Sequence, residues 1–194
     1  MSTDFQRKKL AYFFKILDLN SNGILQLNDF SEMAEKVRIQ MNYEDNSREH
    51  KKIVDKSVKL FHTLQNDISP KEYQEISEDE WASFFVRELV ESGDEDQVDD
   101  YKELIFNFMF DFFDQNKDGF ISKSEYADFY TIFGIDTQYL DKAFSQLDAT
   151  QDGRLSRYEM MSAIEDFLTS DDTTLKGNWI FGNWDSNPHA GDEF

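Results

Sequence analysis

The chain has 194 residues, no cysteine, and 40 acidic against 20 basic residues, a formal net charge of −20. That balance makes nucleic acid and an anionic membrane surface poor partners, and the missing cysteine excludes disulfides, a thiol nucleophile and a Cys-ligated zinc. Acidic chains can be disordered, but 19 Phe, 8 Tyr and 3 Trp, many at helical spacing, predict a packed core instead. The start M-S-T-D-F-Q carries no apolar leader and no glycine for myristoylation, and no stretch approaches a membrane span, so the cytosol is the expected compartment.

Taken in chain order, a 3.6-residue apolar period predicts a first helix over residues 4–17, with Leu10, Phe14 and Leu17 on one stripe. It runs into D-L-N-S-N-G-I-L-Q-L-N-D, residues 18–29. Asp18, Asn20 and Asn22 alternate there as oxygen donors, Gly23 stands where a sharp turn needs positive φ, and Asp29 closes the segment. The spacing is that of the twelve-residue EF-hand loop, in which Ile24 would offer its backbone carbonyl. A second helix follows over 27–40, with Phe30, Met33 and Ala34 inward. Residues 41–68 read as a long insertion whose part 48–64 is helical, with Ile53, Val54, Val58, Leu60, Phe61 and Leu64 on one broad face.

Residues 69–80, S-P-K-E-Y-Q-E-I-S-E-D-E, keep the outline of the same loop without its donors. Ile76 and Glu80 stand at positions eight and twelve, but Lys71 and Tyr73 replace the third and fifth donors and Gln74 the glycine. This is a silent hand that buttresses the first loop. A helix is expected over 78–91, and the run E-S-G-D-E-D-Q-V-D-D, residues 91–100, reads as the linker between halves 1–92 and 93–169.

The next helix, expected over 100–113, carries Phe106, Phe110 and Phe113 on one stripe. It leads into D-Q-N-K-D-G-F-I-S-K-S-E, residues 114–125, which fits the calcium-loop pattern at every constrained position. Asp114, Asn116 and Asp118 supply side-chain oxygens, Phe120 a backbone carbonyl, Ser122 a place for a water, and Glu125 a two-oxygen carboxylate. Helices over 123–133 and 137–147 frame the next repeat, D-A-T-Q-D-G-R-L-S-R-Y-E, residues 148–159. Here Asp148, Thr150, Asp152, the Arg154 carbonyl and Glu159 take the same places. A last helix over 157–169 places Met160, Ala163 and Ile164 where Tyr126, Phe129 and Tyr130 stand in the preceding repeat. The eighth residues Leu25, Ile76, Ile121 and Leu155 are all apolar, so they are expected to bridge in pairs.

The expected fold is all-α: four EF-hand units in two pairs, short β-bridges between paired loops, and a tail, 170–194, whose Trp179, Ile180, Phe181 and Trp184 pack back as an apolar plug. His50, His62 and His189 are scattered, which argues against a histidine metal site. No nucleophile–base arrangement or phosphate loop appears, so no enzyme activity is expected.

Three active hands around a silent second one resemble the sarcoplasmic calcium-binding protein family. Asp4–Lys9, Phe106–Asp111 and Lys176–Gly182 carry the likeness further, toward its calexcitin branch. The resemblance implies a cytosolic buffer or sensor of Ca²⁺, often with Mg²⁺ competition, and, for a sensor, a protein target. The three usable donor sets themselves predict three Ca²⁺ sites in a monomer, and Asp29, one methylene shorter than glutamate, leaves the first hand the most open to Mg²⁺. Coelenterazine-binding proteins and photoproteins share the layout, so holding an apolar ligand is the alternative.

Overall fold

The apolar stripes put a helix on either side of each loop, and the loops then meet in pairs. The computed structural model describes residues 4–70, 75–91 and 95–186. Along it run α1 (Asp4–Leu17), β1 (Ile24–Gln26), α2 (Leu27–Gln40), α3 (Arg48–Ile68), β2 (Glu75–Ser77) and α4 (Glu78–Phe85). Then come α5 (Glu95–Phe113), β3 (Phe120–Ser122), α6 (Lys123–Phe133), α7 (Leu140–Leu147), β4 (Arg154–Ser156) and α8 (Arg157–Thr169). Each three-residue strand with its flanking helices makes one hand. β1 pairs antiparallel with β2 through Leu25↔Ile76, and β3 with β4 through Ile121↔Leu155. All four bridging side chains are buried, so each two-stranded ladder is anchored in the core rather than by its few hydrogen bonds.

The structure differs from the expectation at four element boundaries. α3 is the entering helix of the second hand, so only residues 41–47 connect it to α2. Asn42 and Asn46 adopt positive φ in that connector, which asparagine tolerates, and Ser47 caps α3 by accepting from the His50 N–H. α5 begins at Glu95 rather than about residue 100, so the acidic run read as a linker supplies its first turn. α4 loosens into a π-helical turn, Val86–Glu91, and residue 137 opens a 3₁₀ turn before α7.

Of the stripe residues named above all but Val54 and Val58, which are half-buried, are buried, and the buried ones join one hydrophobic cluster that runs through both pairs of hands. Ser57 is the exception on the inner face of α3: its hydroxyl is buried with no hydrogen-bond partner among the described residues. Behind α8 the chain turns back. Ile180, Phe181 and Trp184 are buried, with Phe181 stacked on Phe13 and edge-on to Phe167, and Trp184 beside Phe5. Gly177 is required where this segment crosses α8, because a Cβ there would lie 2.4 Å from Asp166 Cβ and 2.6 Å from the Ala163 carbonyl oxygen.

Two polar residues of α1 hold the junction. Gln6 donates to the Thr169 carbonyl at 2.7 Å, and Lys9, fully buried, donates to the carbonyls of Asp166 and Ser170 and to Asn178 Oδ1. They give partners to the carbonyls of Thr169 and Ser170 at the end of α8, and Lys9 adds a second donor to the Asp166 carbonyl, which already accepts from the Ser170 N–H. Burial lowers the Lys9 pKa to about 8 despite the nearby Asp166 and Asp171 carboxylates. Tyr126 donates to the Ile180 carbonyl at 2.6 Å from the opposite side.

Candidate metal centres

Loops 18–29, 114–125 and 148–159 share one backbone. The fourth residue has positive φ in each (Ser21 55°, Lys117 59°, Gln151 58°), and so has the sixth (Gly23 79°, Gly119 83°, Gly153 83°). Two left-handed residues in one tight turn point successive N–H groups inward, and glycine takes the more demanding place. The first carboxylate collects those amides. Asp18 accepts from the N–H groups of Asn22 and Gly23, Asp114 from Asp118 and Gly119, and Asp148 from Asp152 and Gly153, all at 2.8–3.2 Å. The third and fifth residues are exposed, and all but Thr150 accept from an amide two places on, Asn20 from Asn22, Asn22 from Ile24, Asn116 from Asp118, Asp118 from Phe120 and Asp152 from Arg154.

The twelfth residue spans each loop. One Glu125 oxygen accepts from the Ser122 N–H and hydroxyl, and the other crosses to the Gln115 N–H at 2.9 Å. Glu159 accepts likewise from Ser156 and, across its loop, from the Thr150 N–H at 3.0 Å and hydroxyl at 3.1 Å. Asp29 accepts from the Gln26 N–H and, across, from Asn20 Nδ2 at 2.6 Å. Asp29, Glu125 and Glu159 are all buried. Burial works to raise the Glu159 pKa, but the hydrogen bonds from Ser156 and Thr150 outweigh it and hold the carboxyl below the ordinary range. At Asp29 burial wins and the pKa rises, with Asp18 adding to the effect.

Ser122 therefore has a job beyond its expected place beside a bound water. It caps α6 while Glu125 returns the bond, and Ser156–Glu159 and Ser77–Glu80 repeat the device. The S-x-x-E spacing is visible in the sequence. In loop 148–159, Asp152 also faces the Arg154 side chain at 3.3 Å, whose guanidinium lies 3.7 Å over the Phe120 ring. Ile24, Phe120 and Arg154 each open a β-strand at the seventh place.

The second hand is built on the same plan with a different first residue. Glu80 accepts from the Ser77 N–H and, from across the loop, from the Ser69 hydroxyl at 3.1 Å, so a neutral serine stands where the other hands have aspartate. Lys71, Tyr73 and Gln74 lie outside the described residues, as does His189. His50 faces Asp45 and Glu35, and His62 packs on Phe61. Among the described residues no three histidine or acidic side chains converge at metal-holding distance. The loop carboxylates are turned onto loop N–H groups. No described helix is long and apolar enough to cross a membrane.

Residues 102–165 match the family of the EF-hand domain pair. Calerythrin of Saccharopolyspora erythraea is 23% identical over 167 residues, which make up 86% of this chain and 94% of calerythrin. The calcium-loaded apo form of the coelenterazine-binding protein from Renilla muelleri has the same fold, with a TM-score of 0.74 at 20% identity over 93% of this chain and 99% of that one. A sarcoplasmic calcium-binding protein from amphioxus gives a TM-score of 0.70 at 18% identity, covering 94% of this chain and 98% of that one.

Proposed function

Because the chain is an EF-hand protein with the four-hand fold of the sarcoplasmic calcium-binding proteins, we propose that it binds three Ca²⁺ ions, one each in loops 18–29, 114–125 and 148–159. The ligands are Asp18, Asn20, Asn22, Asp29 and the Ile24 carbonyl; Asp114, Asn116, Asp118, Glu125 and the Phe120 carbonyl; and Asp148, Thr150, Asp152, Glu159 and the Arg154 carbonyl. Every donor is an oxygen, the class a hard cation takes. The observation that carries this reading is the twelfth carboxylate, held at one oxygen by the helix cap and at the other by a donor across the loop. The cap fixes the side chain over the loop, and the crossing oxygen has only to exchange its N–H partner for the ion. Ca²⁺ supplies two positive charges among carboxylates that otherwise repel one another.

The second hand stays silent in this reading. Its first donor is the Ser69 hydroxyl, already given to Glu80, and Lys71 would bring a positive charge into the loop. The first hand is the most open to Mg²⁺. Asp29 is one methylene shorter than glutamate and offers fewer oxygens, which suits a six-coordinate ion. Calorimetry of Ca²⁺ into the metal-free chain, with and without millimolar Mg²⁺, tests the whole: three equivalents are expected, with Mg²⁺ competing at one. A fourth equivalent of comparable affinity, or only two, would overturn the assignment.

The fold is also that of a protein that holds coelenterazine, but the interior formed by the described residues gives that alternative no support. The apolar cavity between Phe13, Trp81, Met109, Phe129 and Phe181 holds about 20 Å³, where ligand pockets run to roughly 300–1,000 Å³. The narrower placement with the calexcitins rests on the sequence stretches alone. The role is that of a cytosolic, monomeric calcium buffer or sensor, and a sensor requires a surface that calcium alters.

A further inference from the structure

One groove meets that requirement. It holds about 420 Å³ between the end of α2, the start of α3 and the beginning of loop 114–125, within the size of small binding sites. Its apolar floor is Val37, Met41, Ile53 and Phe112. Its rim carries Lys52, Lys56 and Lys117, opposed by Glu49, Asp55 and Asp114.

The surroundings decide the kind of occupant. The chain as a whole carries −20, yet residues 48–59 hold five basic residues, Arg48, Lys51, Lys52, Lys56 and Lys59, against two acidic ones. All five are exposed on α3. The stripe covers about three turns, roughly 17 Å of helix at 1.5 Å per residue. A positive strip of that length on an acidic protein fits an elongated anion, and the apolar floor beside it fits a hydrophobic side chain. A flat anionic bilayer would meet the negative charge around the strip as well.

The wall made by Asp114 and Lys117 belongs to loop 114–125. That loop has three acidic residues and two lysines, so a bound Ca²⁺ turns its net charge from −1 to +1. Gln40, at the end of α2, donates to Asp128, and so does Gln115 from the loop, at 2.7 and 2.8 Å. Loop and groove are therefore joined mechanically as well as by charge.

We infer that this groove is a calcium-strengthened docking site for an acidic segment of a partner protein, seated by one or two apolar side chains and held by the lysines of α3. The inference rests on calcium binding at loop 114–125. To test it, the full chain in calcium is used to select from a displayed library of random peptides of about twelve residues. The selected peptides are then titrated by fluorescence anisotropy, with and without calcium. Expected are sequences pairing Asp or Glu with aromatic or aliphatic anchors, bound more weakly without calcium and shifting the amide resonances of Ile53 and Phe112. The double variant Lys52→Glu/Lys56→Glu lies outside the metal loops and should weaken binding at least about fivefold while its calcium titration stays unchanged. Recovery of no peptide, or of basic or neutral ones, would overturn the inference, as would equal binding to the double variant. Binding of phosphatidylserine vesicles in place of peptides would overturn it too. Failure of loop 114–125 to take up calcium in calorimetry is a separate result and removes the calcium reading itself.

Discussion

Lys9 offers a sharp test of the packing between the first helix and the end of the chain. Its ammonium group is fully buried, and burial lowers its pKa from the ordinary 10.5 to about 8. Between those values the unfolded chain keeps a proton that the folded chain has released. The unfolded state then binds more protons, so stability must rise with pH through this window. With the folded pKa at about 8 and the unfolded one at 10.5, the gain from pH 7 to 10 is about 2.5 kcal/mol. The rise ends near pH 10. Burial raises Tyr126, Tyr130 and Tyr101 above the ordinary tyrosine value, so these groups withdraw stability as the unfolded tyrosines ionise. Urea unfolding at fixed saturating calcium, followed by tryptophan fluorescence, gives the profile directly. Lys9→Met should flatten the climb between pH 8 and 10 and leave the alkaline fall in place. A wild-type profile that is flat or falling from pH 8 to 10, or a Met variant that climbs as steeply, would refute the reasoning.

Glu125→Gln should remove about 2–3 kcal/mol of calcium-linked stabilisation, the scale set by one site at a hundredfold ligand excess, read as a smaller calcium-induced rise in melting temperature. Asp29→Glu should strengthen calcium binding in the first loop about tenfold or more and suppress Mg²⁺ competition there, as followed by site-resolved NMR titration. Gly177→Ala drives a methyl into the backbone of α8 and should destabilise by about 1–3 kcal/mol, with a red shift in tryptophan emission as Trp184 is uncovered. Ser57→Ala removes a buried hydroxyl without a partner and should stabilise by about 1 kcal/mol, visible as a higher urea midpoint.

The sequence made the hands legible because their signal is local and repeated. Donor spacing and glycine lie within twelve residues, the apolar stripes flank them, and the eighth residues Leu25, Ile76, Ile121 and Leu155 carry the pairing. Lys9 was hidden by its company. In the run Q-R-K-K it reads as one more surface cation, while its carbonyl partners lie at the other end of the chain. The one clue is positional, because Gln6 and Lys9 fall on the same face as Leu10 and Phe13. A polar residue on an apolar stripe is a question about distant backbone, and sequence spacing alone does not answer it.

The cross-loop bonds were hidden for a different reason: a pattern of metal donors does not say which N–H and O–H groups of the loop they also face. The structure gives the loop carboxylates their hydrogen-bond partners, and these separate the three hands more finely than ligand counting does. Glu125 gives up a single backbone amide to reach an ion, whereas Glu159 gives up both an amide and the Thr150 hydroxyl. Asp152 is further drawn toward Arg154. Asp29 is fully buried, meets a side-chain amide that Asn20 can turn away, and has the shorter reach. Each hydrogen bond exchanged for an ion contact subtracts from the binding free energy on the order of 1 kcal/mol. The order of filling that follows is 114–125 first, 148–159 next and 18–29 last. Residue-resolved chemical shifts during a calcium titration read that order directly, and early filling of the first loop would break the argument.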